Sequence, residues 1–155
     1  MGLTMKTRVT CLILLAAAAA AAAAAAHAAA PAPLAGKFTG QDISGTYDCT
    51  GDDGREGKYT GTVTLALVAA QSTGDYGAYS FSLQVPGFGT YRGQAAVQGM
   101  HMAVHFALPD QTTRDYGTGI ATLTRSAAGK WSFTKYYYEP EFKGGNHGIE
   151  RCVQR

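Results

Sequence analysis

"KYTGTVTLALVA", Lys58–Ala69, decides the fold. Tyr59, Val63, Leu65 and Leu67 share one parity, and Lys58, Thr60, Thr62 and Thr64 take the other. A period of two with one apolar and one hydroxylated face is a β-strand with one side buried and one side wet. The same alternation returns in Ala78–Val85, where Tyr79, Phe81, Leu83 and Val85 oppose Ser80, Ser82 and Gln84, and in Met100–Leu108 through Met102, Val104 and Phe106. Working outward, shorter segments of the same kind are read at Ser44–Gly51, Gly89–Gln98, Asp115–Arg125, Lys130–Glu139 and Gly148–Gln154. Between them lie Asp53-Gly54, Ser72-Thr73-Gly74-Asp75, Pro86-Gly87, Gly99, Pro109-Asp110, Ala128-Gly129 and Gly144-Gly145-Asn146, all turn chemistry at short spacing. Short links join antiparallel neighbours. The sequence predicts an all-β domain of about eight strands in up-and-down order, with no helical period anywhere in it.

The ends of the chain close the argument. Lys6 and Arg8 precede an apolar block, Val9–Leu15, and an alanine tract, Ala16–Ala26, which together read as a secretory signal peptide removed after Ala28. Seven strongly apolar residues are too few for a span of about twenty. Residues 29–42 read as a flexible tether and 43–155 as a single domain. Thirteen Lys and Arg stand against eleven Asp and Glu, a formal charge of +2 that disappears with Lys6 and Arg8. A neutral domain with no basic run lacks the footprint of a nucleic-acid or anionic-membrane binder. Cys11 leaves with the leader, so Cys49 and Cys152 are the two cysteines delivered to an oxidising compartment, periplasmic or extracellular. They are expected to bond to each other, with two free thiols or an intermolecular bridge as the alternatives. That bond joins the first strand to the last and favours a closed barrel without edges over a sandwich.

The opening Ser44-Gly45-Thr46-Tyr47-Asp48-Cys49 carries family resemblances. Gly45-Thr46-Tyr47 resembles, in a tyrosine version, the Gly-x-Trp signature of lipocalins and is similar to the opening of avidin-like barrels, which implies a calycin-like barrel. Tyr47-Asp48-Cys49 with a partner cysteine near the C-terminus resembles periplasmic inhibitors of C-type lysozyme, eight-stranded barrels with a comparable tie. Their Ser-Gly-x-Arg/Lys-Tyr loop has its nearest counterpart in Ser72-Thr73-Gly74-Asp75-Tyr76, where Asp75 replaces the cation; a carboxylate facing an acidic cleft repels. The chain also resembles small exported barrel proteins of proteobacteria, a likeness that implies no activity.

Chemistry-bearing motifs are few. His101 and His105 are separated by about 13 Å along a strand, too far to share one ion, and Met100 and Met102 are expected in the core as filler. Asp52, Asp53 and Glu56 in "GDDGREG" lack calcium-loop spacing and read as a solvated hairpin turn. Glu139 and Glu141 flank Pro140 in a loop. No nucleophile elbow, zinc motif or phosphate loop is present, so no enzyme, metal or cofactor is expected. Two binding readings remain. In the first, an unidentified small apolar or aromatic molecule enters the barrel mouth, lined by Tyr47, Tyr91, Trp131 and Glu150. In the second, the loops around Asp75, Phe88 and Arg114 dock a protein, as a lysozyme inhibitor or a host-exposed surface antigen would. A monomer is expected. Tyr136 and Tyr138 lie opposite Trp131, Phe133 and Tyr137, so one set faces in and the other out. Gly93, Ala95, Gly117, Gly119 and Ala121 leave interior room, either a pocket or space filled by Trp131 and Tyr47. Glu150 shares the parity of Cys152 and Arg151 takes the other face, so a regular last strand turns one charge inward, where it needs a partner or a ligand unless it sits at the barrel mouth.

Overall fold

The computed structural model describes residues 36–155, and the assigned leader lies outside them. Eight strands follow in order: β1 (Gly45–Asp53), β2 (Gly57–Leu67), β3 (Tyr76–Val85), β4 (Gly89–Gln98), β5 (His101–Ala107), β6 (Tyr116–Arg125), β7 (Trp131–Glu139) and β8 (Asn146–Gln154). Each pairs antiparallel with the next, and β1 pairs with β8, so the sheet closes into an up-and-down barrel. Cys49 and Cys152 face each other directly in that seam, 4.1 Å apart at Cα, and are bonded inside the wall. Closure satisfies the backbone groups that a free edge would expose. Among the described residues no helix is long and apolar enough to cross a membrane.

Alternation sorts the side chains as the pleat demands. On β7, Trp131, Phe133 and Tyr137 are buried while Tyr136 and Tyr138 stand outside, 44% and 47% exposed. Tyr136 lies in a cross-strand row of outward residues, Ala96, Ala103, Ile120, Tyr136 and Ile149, set between threonine and histidine neighbours. Met100 departs from the expectation of a core residue. Gly99, at φ +55°, turns the chain between β4 and β5, which leaves Met100 in the turn and 36% exposed, whereas Met102 is buried.

The two ends of the barrel differ. At one end Ile43 is a stopper with no exposed surface: its carbonyl accepts from the Tyr47 hydroxyl at 2.6 Å and its amide donates to the Tyr79 oxygen at 3.3 Å. Of the segment read from sequence as a tether, the described residues 36–42 run along the wall and are bound to it. Phe38 bridges Gly74, the amides of Thr39 and Gly40 donate to the Gly74 carbonyl, and the Phe38 ring lies against Gly40 and Gly77. A single aromatic anchor among Pro, Ala and Gly carries no periodicity, which is why the attachment leaves no pattern in the sequence. The opposite end, framed by the β1–β2, β3–β4, β5–β6 and β7–β8 connections, stays open.

Candidate functional site at the open end of the barrel

The interior holds charge. Lys135, inward on β7, and Glu150, inward on β8, are paired in register and meet at 2.6 Å with about 1% and 0% of their side chains exposed. The Tyr59 hydroxyl donates to the other Glu150 oxygen at 3.0 Å. The Lys135 ammonium also sits 5.1, 5.2 and 5.6 Å from the ring centres of Phe81, Phe106 and Tyr137, inside cation–π range. A buried charge survives only when paired and hydrogen-bonded. The inward carboxylate that the parity of Cys152 demands is therefore satisfied from inside the protein.

Above this pair, toward the open end, three more carboxyls gather. Asp53 closes β1 on the inward parity of Cys49. Its Oδ1 accepts the amides of Arg55 and Glu56, each at 2.8 Å, and its Oδ2 accepts the Tyr137 hydroxyl at 2.7 Å and the Asn146 amide at 2.8 Å. Four donors fill the acceptor capacity of a carboxylate. Desolvation opposes the charge, but the four hydrogen bonds outweigh it and hold the Asp53 pKa below its ordinary value. The same contacts form the turn expected of "GDDGREG", with Asp53 drawn inward rather than solvated.

Glu139 ends β7 and is 5% exposed; its Oε2 accepts from Asn146 Nδ2 at 2.5 Å, so one amide bridges Asp53 and Glu139. Desolvation raises its pKa to about 7, with nearby Asp115 and Asp53 adding to the rise and Asn146 and Lys135 opposing it. Asp115 stands just before β6 on the inward parity of Gly117, also 5% exposed. Its Oδ2 accepts from the Tyr91 hydroxyl at 2.9 Å, and its Oδ1 has no protein donor. Desolvation raises its pKa too. Asn146 Oδ1 is likewise buried without a partner.

Part of this cluster lines a cleft of about 40 Å³; Asp115 and Asn146 stand outside its lining. Its walls combine Tyr59, Tyr91, Phe106 and Tyr137 with Asp53, Glu139 and Lys135, and Phe88 and Phe142 stand at the rim. Tyr91, Phe106 and Tyr137 stack edge to face, with centroids 5.9 Å apart in each pair. Glycines admit this crowd. A Cβ at Gly117 would meet the Phe106 ring at 2.7 Å and the Glu139 side chain at 2.9 Å, and one at Gly119 would press on Lys135 at 3.1 Å. The room left by small residues is thus filled by Phe106, Lys135 and Glu139, not by Trp131 and Tyr47.

The expected mouth lining does not come together. Tyr91 lines the cleft and Glu150 lies beneath it, but Tyr47 packs on Phe133 at 5.3 Å near the sealed end, where Trp131 lies under the Arg125 guanidinium at 5.2 Å. The loop residues also separate. Phe88 (45% exposed) and Arg114 flank the open end, and Arg114 contacts Glu141 at 3.5 Å. Asp75 is at the sealed end, accepting from Gln98 at 3.3 Å. Glu139 and Glu141 point apart, one inward and one into solvent. His101 and His105 lie on the outer wall. Asp115, Asn146 and Lys135 carry no functional reading in the sequence, and Asp53 and Glu139 read there as turn and loop residues, although each sits on the inward parity of a recognisable strand.

Fold and site together define a closed, disulfide-seamed, antiparallel barrel with a charged interior, sealed at one end and open at an acidic aromatic mouth. No family model, curated protein or solved structure matches the chain.

Proposed function

We propose that this is an exported, non-enzymatic binding protein whose working surface is the open end of the barrel. The observation that carries the reading is the asymmetry of the ends: Ile43 stops one, while the other opens on a cleft walled by Asp53, Glu139, Lys135 and the rings of Tyr59, Tyr91, Phe106 and Tyr137. A whole drug-sized ligand fills roughly 300–1,000 Å³, so about 40 Å³ takes one protruding group, with the rest of the ligand resting on Phe88 and Phe142. That geometry suits a small molecule with an extended head and equally a side chain offered by a protein partner. Export draws its support from the leader and from the disulfide. Binding rather than turnover is supported by the roles of Asp53 and Glu139 in the cleft wall. Asp53 is saturated by structural donors, it shares Asn146 with Glu139, and the cleft has no room for a substrate between them. The lysozyme-inhibitor reading gains nothing here, because the exposed Asp75 puts a carboxylate where an acidic cleft calls for a cation, and its loop lies at the sealed end, away from the cleft.

Ring-resolved NMR of the exported protein against a panel of small neutral, cationic and anionic fragments tests the reading. Resonances of Tyr91, Phe106 and Tyr137 are expected to move for at least one chemical class while those of Trp131 and Tyr136 stay fixed. Silence at the mouth across the whole panel, or movement confined to the outer wall, would overturn it.

A further inference from the structure

We infer that the β7–β8 connection, residues 140–145, is a lid over the open end, latched in this structure by two exposed ion pairs and free to lift when they part. The inference rests on the mouth being the working surface and adds how access to it is controlled. The connection reaches the cleft through Phe142, which stands at the rim and forms part of the lining. Its base is fixed. Glu139 and Asn146, the residues on either side, are joined by a 2.5 Å hydrogen bond and are each 95% or more buried, and Asn146 is held again by Asp53 at 2.8 Å.

The tip is held differently. Glu141 meets the Arg114 guanidinium at 3.5 Å and faces the Tyr116 hydroxyl, Lys143 pairs with Glu56, and the Gly145 carbonyl accepts from Arg55 Nε at 3.3 Å. Arg114 belongs to the β5–β6 connection and Arg55 and Glu56 to the β1–β2 turn, so the tip is strung between its two neighbours. The side chains of the first pair are 70% and 46% exposed and those of the second 55% and 25%. Ion pairs so open to water are worth little more than thermal energy and are screened by salt. A buried base with a tip held by solvated contacts is the anatomy of a hinged element, whose local opening costs far less than unfolding the barrel.

Backbone conformation supplies a second observation. Arg114 at φ 53° and Lys143 at φ 47° are the two non-glycine residues with positive φ among the described residues, and they are the two cations of the latch. A residue with a Cβ disfavours that region, so contacts rather than local preference hold the closed tip, and parting the pairs removes what sustains both conformations. Gly144 at φ 81° and Gly145 at φ 107° follow directly. A Cβ at Gly144 would meet nothing within 4 Å, so packing does not call for the glycine; with Gly145 it gives the chain a joint beside the fixed Asn146. Rotation about the line from Pro140 to Gly145 carries Phe142 away from the cleft. The latched space of about 40 Å³ takes one protruding group, and lifting Phe142 widens the way to it.

Exchange NMR of the exported protein tests the inference without a ligand, since relaxation dispersion reads a slow opening and population-weighted shifts read a fast one. Expected is one common motion at the amides of Phe142, Lys143, Gly144 and Gly145. Its open population should rise about threefold or more when NaCl is raised from about 0.02 M to about 0.5 M, and by a similar factor at low salt in E56Q/E141Q. The amides of Glu139 and Asn146 and the indole of Trp131 should stay in place. A motion spread over the whole barrel, a loop indifferent to salt, or shifts confined in each variant to the neighbours of the substituted side chain would overturn the lid. Should the double variant misfold, the salt titration of the parent decides alone. A loop fixed in one position beside mouth rings that respond to the fragment panel sinks the lid and leaves the mouth reading standing; a loop that opens beside silent rings does the reverse.

Discussion

Replacing Lys135 by methionine keeps the length and apolar stem of the side chain and removes its charge. In the parent the ammonium lies 2.6 Å from Glu150, whose side chain has no exposure and whose other oxygen is held by Tyr59. K135M strands that carboxylate among Phe81, Phe106 and the disulfide with one hydroxyl donor. Breaking one half of a buried pair costs about 3–5 kcal/mol, a large share of the roughly 5–15 kcal/mol that holds a domain folded. With a urea m-value of about 1–3 kcal/mol/M, the unfolding midpoint should fall by about 2 M. The double variant K135M/E150Q removes both charges and keeps an acceptor for Tyr59, and it should recover to within about 1–2 kcal/mol of the parent, since a neutralised pair forfeits attraction and desolvation cost together. Trp131, the single tryptophan, is buried at the sealed end and reports unfolding without lying in the altered region. A loss below about 1 kcal/mol in K135M, or a double variant as unstable as the two single changes combined, would refute the claim that the pair is a coupled, desolvated unit.

Three further outcomes follow from the same geometry. Replacing both Cys49 and Cys152 by alanine opens a loop spanning 103 residues, and urea unfolding should show a loss approaching the roughly 4.7 kcal/mol that chain entropy assigns to such a loop; an unchanged midpoint would deny the seam its role. Glu139, with a folded pKa of about 7 against an ordinary 4.5, binds its proton more tightly folded than unfolded. Its contribution to stability is thus full below the unfolded pKa and is lost as pH rises through 7. E139Q should match the parent near pH 4.5 and exceed it at pH 8 by up to about 3 kcal/mol, which denaturation at the two pH values reads directly. G148A places a Cβ 2.3 Å from the Tyr137 hydroxyl, so it should displace the ring, break the bond to Asp53 and destabilise by about 1–3 kcal/mol, visible as a shifted Tyr137 resonance.

The barrel was legible because the period of two survives in β2, β3 and β5 without interruption and because two cysteines at opposite ends of the domain bound its topology. Glu150 was half legible: the pleat turns either it or Arg151 inward, and the burial of Cys152 on its own face decides for Glu150. Its partner was not found, although Lys135 alternates with Phe133 and Tyr137. A lysine between aromatics reads as a surface residue until the register with β8 is known. The mouth carboxyls were hidden differently. Asp53, Asp115 and Glu139 occupy strand ends beside Gly, Pro and turn residues, where polar residues are ordinarily solvated. Only the counted parity from Cys49, Gly117 and Tyr137 turns them inward, and only the folded barrel brings three separate ends to one opening. Tyr47 and Trp131 show the converse: both face inward, but toward the end that Ile43 closes.

The most direct test of the account is where a ligand settles. Intermolecular NOEs from whichever small fragment binds the exported protein are predicted to reach the rings of Tyr91, Phe106 and Tyr137 and to miss Trp131 and Tyr136. Contacts to Tyr136 and Ile120 on the outer wall, with the mouth rings untouched, would contradict it.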